Sequence, residues 1–276
     1  MRPRLGHIQF LNCLPLYYGL VKNDVLLDVE LIKGSPRELT TGLLSGKIDI
    51  APIPAIDYCR YHKSLLLLPN LSVSSDGEVK SILLVSNVPL DELNGKTVAL
   101  TNTSVTSQAL VKILLHYKYQ VTPIYIEYPP DLPQMMREAD AALLIGDDAL
   151  RALYQPSPLL KYDLGSEWLD FCGRKMVYAV WAVHREFVKT KPELVKEVHQ
   201  ALYKSLEYSK ENLDQIAEYA ARWEIFPVGF LKSYFAALHF DFSLPYQEGL
   251  LFFLQKSQEL GLVDEVAPLN FTGDAL

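Results

Sequence analysis

Residues 97–115 (TVALTNTSVTSQALVKILL) join an apolar strand to an amphipathic helix with no linker between them. Thr97 to Leu100 form the strand, and Leu110, Ile113 and Leu114 mark one face of the helix. Between them stand Thr101, Asn102, Thr103, Ser104, Thr106 and Ser107, five of the six hydroxylated. The first turn of a helix has unpaired N–H groups and the positive end of the macrodipole. Hydroxyls placed there make a pocket that holds a carboxylate or phosphate without a fixed positive charge. One hydroxyl, from Thr103 or Ser104, suffices to cap the helix; the density of the cluster points to an anion site. A second junction repeats the pattern. Residues 140–144 (DAALL) read as a buried strand, followed by Ile145, Gly146, Asp147 and Asp148. Gly146 lets a ligand approach the backbone or lets the chain turn, and Asp147 or Asp148 is placed to cap the next helix. Polar junctions at the carboxyl ends of strands are where open α/β sheets bind ligands.

The rest of the chain fits that frame. Residues 4–10, 27–32 and 48–53 read as strands, with helices over 15–21 and 54–61 and a proline-led capping box at Ser35-Pro36-Arg37-Glu38 whose helix stops at Gly46. Residues 79–86 are a further strand. The pattern restarts near 87–95, with strands at 97–100, 124–128 and 141–145. This alternation predicts mostly parallel sheets with helices on both faces. After residues 177–183 the chain turns helical, with a capping box at Thr190-Lys191-Pro192-Glu193 and helix starts at Asn212 and Ser243. Crossings at 85–90 and 177–183 divide the chain into lobe 1 (residues 1–86 plus 184–276) and lobe 2 (residues 87–183). A cleft between two lobes is a favoured place for a small ligand. The topology resembles the type 2 periplasmic-binding-protein fold.

The 276 residues, 49% hydrophobic and 21% charged, suit one large or two smaller globular units. No apolar run approaches the roughly 20 residues of a membrane span. Residues 1–11 do not read as a secretory leader, which predicts a cytoplasmic protein. Cys13, Cys59 and Cys172 are an odd, unpaired set that fits a reducing compartment, and neither they nor the histidines cluster as metal ligands. A net charge of −7 without a Lys/Arg block argues against nucleic acid and anionic membrane as partners. A small anionic ligand is compatible with this charge where local donors attract it; the expected state is a monomer or homodimer, and no metal or cofactor is expected.

Six words in order, Phe10-Leu11-Asn12-Cys13-Leu14-Pro15-Leu16, Val79-Lys80-Ser81-Ile82-Leu83-Leu84, residues 103–107, residues 144–150, Asp163-Leu164-Gly165-Ser166-Glu167-Trp168 and Val177-Tyr178-Ala179-Val180-Trp181-Ala182, resemble the menaquinone-biosynthesis family of the futalosine route. The likeness runs from Arg4 to about Leu262 and is nearest the chorismate dehydratase branch. It implies a lyase on a binding-protein scaffold that removes water from chorismate to give 3-[(1-carboxyvinyl)oxy]benzoate. Asn12 and Ser81 are the catalytic candidates. Thr103, Ser104, Thr106, Ser107, Ile53, Pro54, Gly146 and Asp147 are the expected substrate-binding set. The chain departs from the family pattern at Ala55, where relatives often have serine, and at Gly173-Arg174-Lys175-Met176, where they often have Gly-Leu-Pro-Phe. Two other readings stay open: a sister 1,4-dihydroxy-6-naphthoate synthase activity, which usually brings a cleft histidine, and a non-catalytic cytoplasmic small-anion-binding protein. In the residues alone, Asn12 also serves as a helix cap and Ser81 as a small buried hydroxyl bonded to backbone. Trp168, Trp181 and the histidines read as structural.

Overall fold

The computed structural model describes residues 2–22 and 28–275. Its strands in chain order are β1 (Arg4–His7), β2 (Glu30–Lys33), β3 (Ile50–Pro54), β4 (Leu65–Ser75), β5 (Ile82–Ser86), β6 (Thr97–Thr101), β7 (Ile124–Tyr128), β8 (Ala141–Ile145), β9 (Leu160–Asp163) and β10 (Met176–His184). They form two five-stranded sheets, in the orders β2-β1-β3-β10-β4 and β7-β6-β8-β5-β9. Leu27, the first residue of the expected second strand, lies outside the described residues.

Both sheets are mixed rather than mostly parallel. β1 runs parallel to β2 and β3, and β6 parallel to β7 and β8. The strands that follow the crossings run the other way: β10 is antiparallel to β3 and β4, and β5 to β8 and β9. Each crossing strand therefore belongs to the opposite sheet from the one expected. β5 is in the second sheet and β10 in the first, so the chain crosses between Ser75 and Ile82 and returns between Cys172 and Met176. The boundaries at 86/87 and 183/184 move accordingly. Both strands are almost wholly buried, so their apolar runs fit either sheet equally well. The breaks are marked instead by Gly77 (φ +91°) and Gly173 (φ +66°), where the chain takes a left-handed conformation.

Most predicted helix starts appear. Ser35 closes the capping box with Glu38 ahead of the helix Pro36–Leu44. The box at Thr190 does not form: the Thr190 hydroxyl donates to the Glu186 carbonyl, and the helix Pro192–Glu211 starts without a side-chain cap. Nor do the side chains of Asn212 and Ser243 cap the helices they precede. The core is continuous across the lobes. It runs from β1, β3 and β10 through Trp168 and Trp181, both fully buried, to Leu110 and Ile113 of the helix Val105–Ile113 and to Phe253 and Leu254 of the helix Leu244–Glu259. A second, smaller cluster around Leu83, Ala99, Met135 and Leu144 fills another layer of lobe 2. Among the described residues, no helix is long and apolar enough to cross a membrane.

Candidate active site

The cleft between the lobes holds a narrow cavity of about 50 Å³, partly open to solvent. Lobe 1 contributes Ile8, Phe10, Asn12, Pro36, Pro54, Val73, Tyr178 and Ala179, and the crossing and lobe 2 contribute Val79, Ser81, Ile82, Ser104, Ser107, Ile145 and Gly146. No lining side chain among the described residues carries a charge. An anion held here is held by dipoles and hydroxyls.

Six of the ten expected site residues line this cavity: Asn12, Ser81, Ser104, Ser107, Pro54 and Gly146. Asn12 lies in the 3₁₀ turn Leu11–Cys13 that follows β1. Its Oδ1 is buried and has no hydrogen-bond partner. A cap would have used that oxygen, so Asn12 does not serve as a helix cap through it. Ser81 is buried at the end of the first crossing, and its hydroxyl donates to the Val79 carbonyl over a long 3.4 Å. Ser104 is the N-cap of the helix Val105–Ile113 and accepts from the Ser107 N–H at 3.4 Å. The two hydroxyls meet at 3.1 Å.

Four expected residues lie elsewhere. Thr106 is fully buried, and its hydroxyl oxygen accepts from the Ile56 N–H at 3.3 Å, capping the lobe 1 helix Ala55–Tyr61. Ile53 is packed inside β3. Thr103 pairs with the Thr101 hydroxyl at 2.8 Å and lines a separate open groove with Lys33, Arg37 and Lys47. Asp147 points at lobe 1: its Oδ1 accepts from the Leu11 N–H at 3.0 Å. Burial pushes the Asp147 carboxyl up to about 6, partly countered by the Leu11 bond and Arg151 and reinforced by Glu224 and Asp148. Neither Asp147 nor Asp148 caps its own helix, Gly146–Tyr154, by a side-chain bond.

Sequence reasoning missed Phe10 and Tyr178 as cavity walls. The Tyr178 hydroxyl is paired with Ser75 at 2.9 Å, and burial drives its pKa far up, so it remains a neutral phenol. Phe10 lies over Gly146, where the absence of a side chain leaves the ring room; a Cβ there would approach the ring to 3.0 Å. Cys13 is fully buried and pushed up to about 12 by that burial, with no nucleophilic character. No histidine lines the cavity, and no group of acidic, His and Cys side chains among the described residues could hold a metal ion.

Two α/β lobes around an uncharged, largely apolar cleft define a fold of the periplasmic-binding-protein kind. Solved structures bear out that fold. A protein of Archaeoglobus fulgidus superposes with a TM-score of 0.75 at 19% identity, over 95% of this chain and 98% of that one. The periplasmic aliphatic sulphonate-binding protein SsuA of Escherichia coli gives 0.68 at 15% identity, over 97% and 90%. The alkanesulfonate-binding protein SsuA of Xanthomonas axonopodis pv. citri also gives 0.68 at 15%, over 99% and 97%. The sequence narrows the class: residues 3–259 match the family model for menaquinone biosynthesis, and the chain belongs to that family. It is homologous to the chorismate dehydratase of Thermus thermophilus, 32% identical over 238 residues that cover 80% of this chain and 83% of the relative.

Proposed function

We propose that this chain is a hydro-lyase that dehydrates chorismate to 3-[(1-carboxyvinyl)oxy]benzoate. The observation that carries the reading is the unpartnered Asn12 Oδ1, buried in one cavity with Ser81 and the Ser104–Ser107 helix start and with no basic side chain on its walls. Loss of the C3 proton and the C4 hydroxyl makes the substrate ring aromatic, so elimination runs downhill once begun. A general base is normally His, Glu, Asp or Lys within hydrogen-bond reach. The cavity walls offer none of these. The substrate brings its own carboxylate on the enolpyruvyl arm, close to C3. In this mechanism the helix start holds one carboxylate, and the arm folds so that the other takes the C3 proton. Asn12 orients that arm, the Ser81 hydroxyl hydrogen-bonds the departing C4 hydroxyl, and the arm's carboxyl passes the abstracted C3 proton to that hydroxyl, so that water leaves and the carboxylate is restored. Proximity of this kind can supply several kcal/mol, up to roughly 7–11 for a well-oriented pair.

Incubation with chorismate tests the proposal directly. The ring's ultraviolet spectrum should become aromatic, and mass spectrometry should show loss of one water. Asn12→Ala should bind the product but lose most of kcat. Stable binding of chorismate without conversion by the unaltered protein would reject the enzyme in favour of a binding module.

A further inference from the structure

Two helix starts of lobe 1 border the cleft, and each is capped from lobe 2. Ile56, next but one to the cavity-lining Pro54, gives its N–H to Thr106, and the preceding N-cap position has no side-chain bond of its own. Leu11, next to Asn12, gives its N–H to Asp147, and there too the N-cap residue, Phe10, supplies no side-chain cap. Phe10 is in turn seated on Gly146, the residue before Asp147. The Gly146 N–H donates to the Ser81 carbonyl at 2.8 Å. The turn that carries Asn12 is therefore fixed at Phe10 and Leu11 by the segment that also anchors Ser81, although the two candidates lie 69 residues apart in sequence. Asp147 does not line the cavity.

We propose that Asp147 is a positioning residue: its carboxylate caps the Leu11–Cys13 turn from the opposite lobe and so holds the Asn12 amide at a fixed place relative to Ser81. This rests on the reading of the cleft as the site of chorismate dehydration. The carboxylate acts through the Leu11 N–H and touches neither substrate carboxylate. Its loss tilts the turn, and a displacement of an ångström at a catalytic group costs rate rather than ground-state binding.

Three proteins test this: the unaltered chain, Asp147→Ala and Asp147→Asn. Asp147→Ala should lower kcat by roughly ten- to a hundredfold while KM stays within a few-fold. Asp147→Asn keeps an acceptor oxygen for Leu11 and should recover most of the loss. Amide hydrogen exchange at Leu11, followed by nuclear magnetic resonance with the aromatic product bound, should quicken in Asp147→Ala and stay slow in Asp147→Asn. That readout does not depend on turnover. If the unaltered chain fails to convert chorismate, the functional reading falls, while exchange at Leu11 still reports the cap. Unchanged kcat in Asp147→Ala, a rise in KM alone, or an Asp147→Asn variant as slow as the alanine one would overturn the positioning role. Should Asp147→Ala not fold, unprotected Leu11 exchange in Asp147→Asn would overturn it equally.

Discussion

Asp147 keeps a carboxylate where burial opposes its charge. Its pKa is pushed up to about 6, against about 3.9 for an unfolded chain. Between those values the folded protein binds more protons than the unfolded one, so stability falls as pH rises from about 4 to about 6 and stays lower above that. Asp147→Asn has no such charge. Its stability advantage should be near zero at pH 4 and grow to on the order of 2–3 kcal/mol above pH 6.5. Urea midpoints of both proteins at pH 4.5 and 7.5 would show it; a difference independent of pH would contradict the burial argument. On the cavity wall, Ser107→Ala removes a hydroxyl from the helix start while leaving the Ser104 cap. Affinity for the aromatic product should drop by about 1.5–3 kcal/mol with little change in Tm, whereas Ser104→Ala should also lose about 1 kcal/mol of stability. Calorimetric titration with the product checks both, and unaltered affinity in Ser107→Ala would remove the anion site from this helix. The hydroxyl cluster was legible in the sequence as a site but not residue by residue. Ser104 and Ser107 are three apart and share a face of the helix, while Thr106 is two from Ser104 and must point elsewhere. Only packing against lobe 1 shows where.

Helix and strand identity was legible wherever periodicity had room to act, and connections were not. β4 escaped the reading because Pro69 and Asn70 interrupt LLLLPNLSVSS, and Asn70 takes a φ of +56°. The proline is tolerated because β4 is the edge of its sheet. β9 has no fully buried position, so no apolar run marks it as a strand. The crossings are held by contacts far apart in sequence. Asp163 caps the helix Leu164–Cys172 through the Ser166 N–H and also accepts from the N–H groups of Val79 and Lys80 on the first crossing. Lys175 on the second crossing meets Asp76 on the first at 3.0 Å, which gives the Arg174–Lys175 departure a structural place. Gly165 lets that helix lie against the crossing: a Cβ there would meet the Gly77 carbonyl oxygen at 2.2 Å and the Tyr178 hydroxyl at 2.8 Å. Gly165→Ala must push the two apart and should cost about 1–3 kcal/mol, lowering Tm by about 3–10 °C. Gly229→Ala meets no atom within 4 Å and should be neutral or slightly stabilising. Thermal melts of the pair would show whether fit at the crossing, rather than glycine replacement as such, is what matters.

At the scale of the molecule, the lobes are tied unequally around the cleft. Along one side the core is shared through the helices Val105–Ile113 and Leu244–Glu259, and the Tyr117 hydroxyl donates to Glu259 at 2.7 Å. At the cleft floor stand the Leu11–Asp147 and Ile56–Thr106 bonds, and Tyr154 packs edge-on against Phe230. At the outer edge, near β2 and β7, the link is an Arg37–Glu127 ion pair at 3.8 Å between side chains more than half exposed. Exposed pairs contribute about 0–1 kcal/mol. Separating the shared core would expose apolar surface at about 25 cal/mol per Å². Opening should therefore be a rocking motion that parts the β2–β7 edge and leaves the helical side in contact, with the crossings at 76–81 and 173–175 as hinges. The groove lined by Lys33, Arg37, Glu38 and Lys47 lies at that edge and carries three cationic side chains against one carboxylate on a chain of net charge −7. Spin-label pairs can separate the two sides. Ser45 and Gln134 are exposed on lobe 1 and lobe 2 near the moving edge, and His116 and Gln258 are exposed on the fixed side. Cys172, the one partly exposed cysteine, is first replaced by serine. Adding product should shorten and narrow the Ser45–Gln134 distance distribution and leave the His116–Gln258 distribution unchanged. Shortening of both would mean the lobes close as separate bodies despite their common core. No change in either would mean that the cleft is preformed and that substrate enters without any lobe motion.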